Sequence, residues 1–323
     1  MLAMRVHSYD PGASVECNEL PIPEPLAGQV RVRVHACGIS FVDLLVARGG
    51  YQVKPSLPFV PGSEFSGTVD ALGPDVTSTL KVGDRVCGTR QGAWAQFICC
   101  AVDAVQVLSP DASVEETAVL TASYGTALYA LRERGRLRAG ETLLVLGATG
   151  GVGHAAVQLG KLLGARVVAM ASTAAKRAAA CAAGADETVD SANGDWKDAV
   201  KALVPGGVDV VFDTVGGDAT DAAFRTLGWG GRHLMVGFAG GQIGMLKTNL
   251  SIVKGASLIG VDFRQSSERD GDLANEIKRE VVTLYQQGRI RPLVSHVLPV
   301  QRFAEAAAMV GDRAGFGRVV ITL

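Results

Sequence analysis

The stretch T-L-L-V-L-G-A-T-G-G-V-G-H-A-A-V-Q-L-G-K-L-L, residues 142–163, decides the fold of this 323-residue chain. Its first part, Thr142–Leu146, is a short apolar run typical of a buried strand, and His154–Leu163 is typical of an apolar helix. Between them lies G-A-T-G-G-V-G, Gly147–Gly153. Glycines let a backbone turn sharply beside a pyrophosphate, whose charge the N–H groups at a helix N-terminus then bind. The stretch predicts a dinucleotide-binding loop. Because the spacing is not the standard G-x-G-x-x-G, a purely structural turn stays open as the alternative.

Short apolar runs and helix-like segments alternate downstream of this loop. Several of the runs are apolar throughout, as in strands that are covered on both faces. An Ala-rich helix is predicted over Ala174–Ala183. The predicted strands are Thr142–Leu146, Arg166–Ala171, Glu187–Val189, Val208–Phe212, Arg232–Val236 and Ser257–Val261. This rhythm predicts an α/β fold with a doubly wound parallel sheet.

The flanking regions have a different pattern. The first 110 or so residues carry short strands separated by Gly, Pro and Asp turns, and Val30–Ala36 alternates apolar with basic or polar residues as a half-buried strand does. Near the end, a helix over Asp270–Gln287 precedes strands at Val294–Pro299 and Arg318–Leu323. We therefore predict a β-rich substrate domain over residues 1–122, a dinucleotide-binding domain over 123–262, and a return to the first domain over 263–323.

Composition excludes several classes of protein. With 31 basic and 32 acidic side chains the net charge is −1, which excludes a nucleic-acid binder that works through bulk positive charge. An apolar content of 48% excludes disorder. Six cysteines without a C-x-x-C pair are expected to be reduced thiols in the cytoplasm. The first ten residues lack the apolar core of a signal peptide, and glycines interrupt the longest uncharged stretch, so no membrane association is expected.

The cofactor is predicted from A-S-T-A-A-K-R, which follows the second predicted strand. A protein that selects NADH usually places an acid here for the ribose 2′-hydroxyl, but this chain has none before Asp186. Ser172 can donate a hydrogen bond to a 2′-phosphate, and Lys176 and Arg177 can neutralise it. The sequence therefore predicts NADPH. The alternative is that both cations belong to the solvated face of the next helix.

Three motifs carry a resemblance to a known family: the glycine loop, D-T-V-G-G at Asp213–Gly217, and V-G-F-A-G-G at Val236–Gly241. Behind a β-rich domain, this order resembles the medium-chain dehydrogenase/reductase superfamily, and within it the zinc-free NADPH:quinone oxidoreductases, over essentially the whole chain. The resemblance implies a GroES-like domain beside a Rossmann domain, hydride transfer from NADPH to a quinone, and a homodimer in which two sheets join.

The positions of the metal ligands support the zinc-free branch. In metal-dependent relatives a C-G-x-x-x-x-D run and a G-H-E run supply ligands; here they read Cys37–Asp43 and Gly62-Ser63-Glu64, with serine in place of the imidazole. Near the third expected ligand, Thr121–Thr126 contains neither Cys nor His. One thiol does not make a zinc site, so no metal is expected and Cys37 is interpreted as a buried small residue. Without a Lewis acid, alcohol oxidation is disfavoured, whereas a quinone or a conjugated enone needs only positioning and hydrogen bonds.

The resemblance also implies site residues. Ser40 and Tyr51 are the expected hydrogen-bond donors to the quinone oxygen, although Ser40 could instead cap backbone and Tyr51 could be a loop aromatic without a ligand. Asp43 is interpreted as a local cap. The expected cofactor contacts, besides Ser172, Lys176 and Arg177, are Thr126, Gly150, Gly151, Val152, Val215, Gly216, Gly237 and Phe238. Phe238 could alternatively be core packing.

Two other functions stay open. An enoyl or enone reductase of the same superfamily would need a proton donor to the α-carbon, for which Tyr51 is the candidate. A non-catalytic NADPH-binding protein is the other. For assembly, Ser257–Val261 is an apolar edge strand without Lys or Pro, which predicts a homodimer that Ile259→Pro would disrupt.

Overall fold

The computed structural model describes residues 1–10, 12, 14–312 and 315–323. These residues form two compact units: Met1–Ala122 together with Lys278–Leu323, and Ser123–Ile277. Within the described ranges, every helix is too short or too polar to span a membrane.

The elements of the first unit that precede its boundary with the second unit, at Ala122, are mainly short strands. In chain order they are β1 Leu2–Arg5, β2 Glu16–Glu19, β3 Gln29–Ile39, α1 Phe41–Ala47, β4 Glu64–Leu72, β5 Arg85–Thr89, β6 Phe97–Ala101, β7 Val105–Val107 and α2 Val114–Thr117.

The second unit alternates strands with helices. Its elements are α3 Thr121–Leu128, which crosses the boundary and continues as a π-helical segment to Arg134, β8 Thr142–Leu146, α4 Gly151–Leu162, β9 Arg166–Ala171, α5 Ala174–Ala182, β10 Glu187–Asp190, α6 Trp196–Leu203, β11 Val208–Asp213, α7 Asp218–Phe224, β12 Leu227–Met235, α8 Asn249–Lys254, β13 Ser257–Gly260 and α9 Phe263–Arg269.

The remaining elements are α10 Gly271–Gln286, which leads back to the first unit, then β14 Val294–Pro299, α11 Phe303–Gly311 and β15 Arg318–Thr322.

The main sheet of the first unit has seven strands, ordered β14-β15-β3-β4-β5-β7, with β6 also paired to β3. The predicted strand Val30–Ala36 lies within β3, whose residues Val30, Val32 and Val34 are buried. Alternation along β3 therefore places a core on one face of this sheet. The C-terminal strand β15 pairs antiparallel with β3, so the end of the chain completes this sheet.

The second unit holds a six-stranded sheet ordered β10-β9-β8-β11-β12-β13, and all its pairings are parallel. Every residue of β8 is buried, as expected for a strand covered on both faces. From the centre the chain builds outward to β10 on one side and to β13 on the other, so the strand order reverses between β8 and β11. Ligands of such sheets bind at this reversal, outside the carboxyl ends of the strands. The predicted fold class is confirmed.

Several predicted boundaries differ from the structure, most of them by one residue, and the larger differences are these. β12 begins at Leu227, not at Arg232. The glycines between these residues suggest a turn in the sequence, but in the structure they belong to the strand, next to an irregularity in its pairing with β11. α4 begins at Gly151, three residues before the predicted His154. The segment 263–277 belongs with the second unit, not the first. The Phe263 ring packs against Tyr129 of that unit, with ring centroids 5.5 Å apart.

Candidate functional site

The glycine loop adopts a conformation that side chains would prevent. Gly147 has φ of +69°, and a Cβ there would lie 2.5 Å from Thr214 Oγ1. A Cβ at Gly153 would lie 2.1 Å from the carbonyl oxygen of Gly147. Gly150 is the N-cap of α4 and supplies no side-chain cap, so the first-turn N–H groups of Gly151 and Val152 are open to an anion.

A buried carboxylate organises the loop after β11. Asp213 Oδ1 accepts hydrogen bonds from the backbone N–H groups of Val215 (2.8 Å) and Gly216 (2.9 Å). Its Oδ2 lies 2.9 Å from Thr220 Oγ1, which donates to it, and 3.1 Å from His233 Nε2. Burial raises the pKa of Asp213, but the hydrogen bonds from His233 and from the Gly216 backbone outweigh burial and hold the pKa below its usual value. Asp213 is therefore ionised and fixes this loop. The sequence shows it only as the first letter of D-T-V-G-G.

Hydrogen bonds join the loops at the strand-order reversal. The Thr214 hydroxyl donates to the carbonyl of Leu146, at the end of β8 (2.9 Å). The loop after β12 is tied to the same place, because the N–H of Ala239 donates to the carbonyl of Thr214 (2.9 Å). The loops after β8, β11 and β12 thus form one structure at the position where ligands of such sheets bind.

Four of the predicted cofactor-contact residues lie together in these hydrogen-bonded loops: Val215, Gly216, Gly237 and Phe238. The N–H of Gly237 donates to the carbonyl of Asp213 (3.2 Å), and the N–H of Gly240 donates to that of Val215 (2.7 Å). A Cβ on Gly216 would lie 2.9 Å from the Phe238 ring. Phe238 is 41% exposed, which argues against the alternative that it is core. Thr126 lies apart from these loops in sequence, partly exposed on α3.

The residues after β9 have unequal electrostatic surroundings. Ser172 is exposed, and Lys176 is half-buried with no ion pair among the described residues. Arg177, by contrast, places Nη1 2.8 Å from Asp190 Oδ2 and 3.4 Å from the carbonyl oxygen of Ala171. Sequence analysis missed Asp190, because its proximity to Arg177 depends on the register that pairs Asp190 of β10 with Ala171 of β9.

In the first unit, Ser40 is the N-cap of α1. Its hydroxyl accepts from the N–H of Asp43 (3.0 Å), and its backbone N–H donates to Asp43 Oδ2 (2.9 Å), which completes a capping box. The Ser40 hydroxyl also donates to Asp43 Oδ2 (2.6 Å). Burial raises the pKa of Asp43, while hydrogen bonds from Ser40 and Ser63 oppose this rise. The hydroxyl hydrogen of Ser40 is therefore directed to Asp43, and a contact of Ser40 with substrate stays a prediction. Tyr51 follows α1 in a half-buried loop position, and none of the described hydrogen bonds involves its hydroxyl.

The donors at the metal-ligand positions do not fit zinc. Burial raises the pKa of the Cys37 thiol well above its usual value. Glu64 accepts from Arg318 Nη2 (3.0 Å) and from the N–H of Ala122 (2.7 Å). Ser63 hydrogen-bonds Asp43. No three His, Cys, Asp or Glu side chains of the described residues group in a way that could hold a metal ion. This donor set offers a neutral thiol, a hydroxyl and an ion-paired carboxylate, not the ligands that zinc requires.

Comparison with known proteins gives two family matches. Residues 26–124 match the alcohol dehydrogenase GroES-like domain, and residues 151–279 match the zinc-binding dehydrogenase family. The chain is 39% identical over 305 residues to quinone oxidoreductase-like protein 2 of Rattus norvegicus, an alignment that covers 93% of this chain and 87% of that protein.

Solved structures agree with these matches. The quinone oxidoreductase from Thermus thermophilus, solved alone and with NADPH, superposes with a TM-score of 0.88 at 30% identity and covers 100% of both chains. The CurK enoyl reductase superposes with a TM-score of 0.88 at 25% identity, over 99% of this chain and 98% of that one.

The fold and the loops at the strand-order reversal define an oxidoreductase of the medium-chain dehydrogenase/reductase superfamily that binds a nicotinamide cofactor. Within it, this chain belongs to the zinc-free quinone oxidoreductase family, as its motifs predicted. One of the two matched families is named for zinc binding, but in this chain Ser63 stands at the position of its imidazole ligand.

Proposed function

We propose that this protein transfers a hydride from NADPH to a quinone without a metal ion. The observation that carries the proposal is the donor set in the first unit, where Cys37, Ser63 and Glu64 occupy the metal-ligand positions. These side chains do not suit the metal ion that would be needed to acidify an alcohol. A quinone accepts hydride without such help. The rat relative and the Thermus thermophilus structure, both named for quinone oxidoreduction, support the same substrate class.

The residues of the second unit would bind and orient the cofactor. Backbone N–H groups of Gly151 and Val152 would hold the pyrophosphate at the start of α4, beside Gly150, whose own N–H donates to the carbonyl of Gly147 (3.1 Å). Around the nicotinamide and its ribose we place the loops fixed by Asp213, with Val215, Gly216, Gly237 and Phe238, together with Thr126 on α3. When bound, the cofactor supplies the hydride from its nicotinamide ring.

The surroundings of Lys176 support a preference for NADPH over NADH. Lys176 is a cation without a described ion-pair partner, one turn into the helix that follows β9, and Ser172 precedes that helix with an exposed hydroxyl. A charge-assisted contact with a 2′-phosphate contributes roughly 1.5–3 kcal/mol. NADH offers no phosphate for this contact, so the preference follows.

Tyr51 would act on the quinone. As hydride arrives, negative charge develops on a quinone oxygen, and a phenolic O–H stabilises that charge by donating a hydrogen bond. A proton from solvent would then complete the hydroquinone, with the cofactor left as NADP⁺. Ser40 could assist only by breaking its hydrogen bond to Asp43.

An enone reductase is the second candidate, favoured by the likeness to the CurK enoyl reductase. That reaction also begins with hydride from the nicotinamide, but it ends with a proton on carbon, for which Tyr51 is the proposed donor.

A substrate screen separates the candidates. Purified protein with NADPH is assayed against a quinone series, 2-enals and enoyl thioesters under identical conditions. We expect quinones to give the highest kcat/KM. Faster turnover of enals or thioesters would favour the second candidate, and tight NADPH binding without turnover of any acceptor would indicate a non-catalytic protein.

A further inference from the structure

An acidic side chain lies where sequence analysis found none. Asp190 is the last residue of β10, and the sheet register pairs it with Ala171, the last residue of β9. In doubly wound sheets the adenosine ribose binds at the end of the second strand, which here is β9. Asp190 is therefore one strand away from that position, with 41% of its side chain exposed.

The carboxylate of Asp190 is already bound to one of the two cations expected to recognise a 2′-phosphate. Its Oδ2 lies 2.8 Å from Arg177 Nη1, and its Oδ1 accepts from the N–H of Ala192 at 3.0 Å. Arg177 is 25% exposed, and the same nitrogen is 3.4 Å from the carbonyl oxygen of Ala171. The guanidinium is thus already paired with a carboxylate before any ligand arrives.

We propose that Asp190 limits the preference for NADPH over NADH by competing with the 2′-phosphate of NADPH for Arg177. This inference rests on the proposed use of NADPH. A 2′-phosphate bound beside Arg177 must share the guanidinium with Asp190 or displace it, and the carboxylate also repels the phosphate directly. NADH, with a neutral 2′-hydroxyl, meets neither cost. Asp190 therefore limits the NADPH preference that Lys176 supports.

The substitution Asp190→Asn tests this with little disturbance of the fold. An asparagine oxygen can still accept from the N–H of Ala192, so the local turn is retained, while the negative charge is removed. Arg177 then meets the phosphate with its charge uncompensated. We expect affinity for 2′-phosphorylated ligands to rise about three- to tenfold, and affinity for ligands without the phosphate to stay constant.

The measurement is calorimetric titration of the intact protein with adenosine 2′,5′-bisphosphate and, separately, with 5′-AMP, so that no turnover is needed. Asp198→Asn is the matched control, because it removes the same charge from an exposed α6 position paired with Lys201. We expect Asp198→Asn to leave the ratio of the two affinities unchanged.

Arg177→Gln completes the test. Alone it leaves Asp190 without its cation, and we expect weaker binding of the bisphosphate than in the wild type, by about tenfold. Combined with Asp190→Asn, it should recover part of that loss. An unchanged or lower affinity ratio in Asp190→Asn would overturn the inference.

Failure of the inference and failure of the proposed function give different results. If the wild type prefers the bisphosphate and only Asp190→Asn has no effect, the NADPH assignment stands and the role of Asp190 is wrong. If the wild type binds both ligands equally and Asp190→Asn creates a preference for the bisphosphate, the inference holds and the NADPH assignment fails. If neither protein discriminates, both fail.

Discussion

Lys176 and Arg177 are adjacent in sequence, yet their electrostatic surroundings differ. Arg177 is compensated by Asp190, and Lys176 has no ion pair in the described part of the chain. We therefore predict that Lys176→Ala raises KM for NADPH about tenfold, ~1.4 kcal/mol, and leaves KM for NADH nearly unchanged. Steady-state kinetics with both cofactors measures this, and the effect should shrink at high salt because part of the attraction is screened.

Lys201→Ala is the control for Lys176→Ala, because Lys201 is an exposed lysine of α6 whose nearest carboxylate, Asp198, is 3.7 Å away. It removes the same charge and should change neither KM. Equal effects of the two substitutions would mean that Lys176 acts only through the net charge.

Tyr51 is the proposed hydrogen-bond donor to the quinone oxygen. We expect Tyr51→Phe to lower kcat/KM for quinone about tenfold, because one hydrogen bond to developing charge, ~1.4 kcal/mol, is lost. Tyr285→Phe is the control: the Tyr285 hydroxyl donates to Glu116 Oε2 at 2.8 Å, so its loss should lower stability and not kcat/KM. If Tyr51→Phe matches the wild type for every quinone tried, Tyr51 is no donor.

At the scale of elements, the strand–loop–helix unit around residues 142–163 depends on one close approach. A Cβ at Gly153 would lie 2.1 Å from the carbonyl oxygen of Gly147, a backbone atom that cannot rotate away. We predict that Gly153→Ala displaces the loop, lowers the free energy of unfolding by about 2–3 kcal/mol, and weakens dinucleotide binding. Denaturant titration and cofactor fluorescence measure the two effects.

Gly194→Ala is the matched control for Gly153→Ala. No atom lies within 4 Å of a Cβ placed at Gly194, so the methyl group meets no obstacle there. We expect wild-type stability and wild-type binding. A Gly153→Ala protein as stable as this control, with unaltered binding, would contradict the close-packed loop.

Elements were predictable where one local pattern determined them. β8, β9 and β14 have their predicted bounds: β8 is an apolar run that ends before Gly147, β9 begins two residues after Gly164 and ends before Ser172, and β14 ends at Pro299. The start of β12 was not predictable, since its glycines resemble a turn unless the neighbouring strand is known.

The candidate site shows the same division between local and long-range information. The glycine loop and D-T-V-G-G are contiguous motifs that sequence displays directly. The His233 contact with Asp213 joins residues 20 positions apart, and the Arg177–Asp190 pair depends on strand register. Such contacts depend on which strands pair and in which register, and no spacing rule in the sequence predicts them.

At the scale of the whole molecule, β13 is an edge strand with an apolar surface nearby. Leu258 on β13 is 47% exposed, and Trp229, Ile252 and Val253 on β12 and α8 are 82%, 81% and 68% exposed. Exposed apolar groups of this size beside an open edge favour association with a second copy. A homodimer through this edge is our proposal for the assembly.

The structure suggests a better test of the dimer than Ile259→Pro. The N–H of Val261 donates to Met235 of β12, so by alternation the N–H of Ile259 also faces β12, and proline there would damage the sheet itself. We predict that Leu258→Lys gives a folded monomer, because a charge at the edge opposes pairing. Sedimentation with circular dichroism checks this. A wild type that sediments as a monomer at micromolar concentration would count against the dimer.

The central claim is direct hydride transfer from NADPH to quinone without a metal. The most direct measurement is anaerobic single-turnover reduction of a quinone by protein freed of metal by chelation, with NADPH deuterated at one or the other face of the nicotinamide. We predict full activity, one NADPH oxidised for each quinone reduced, and slower transfer with only one of the two deuterated forms. Loss of activity that zinc restores, or no transfer to quinone from bound NADPH, would contradict the account.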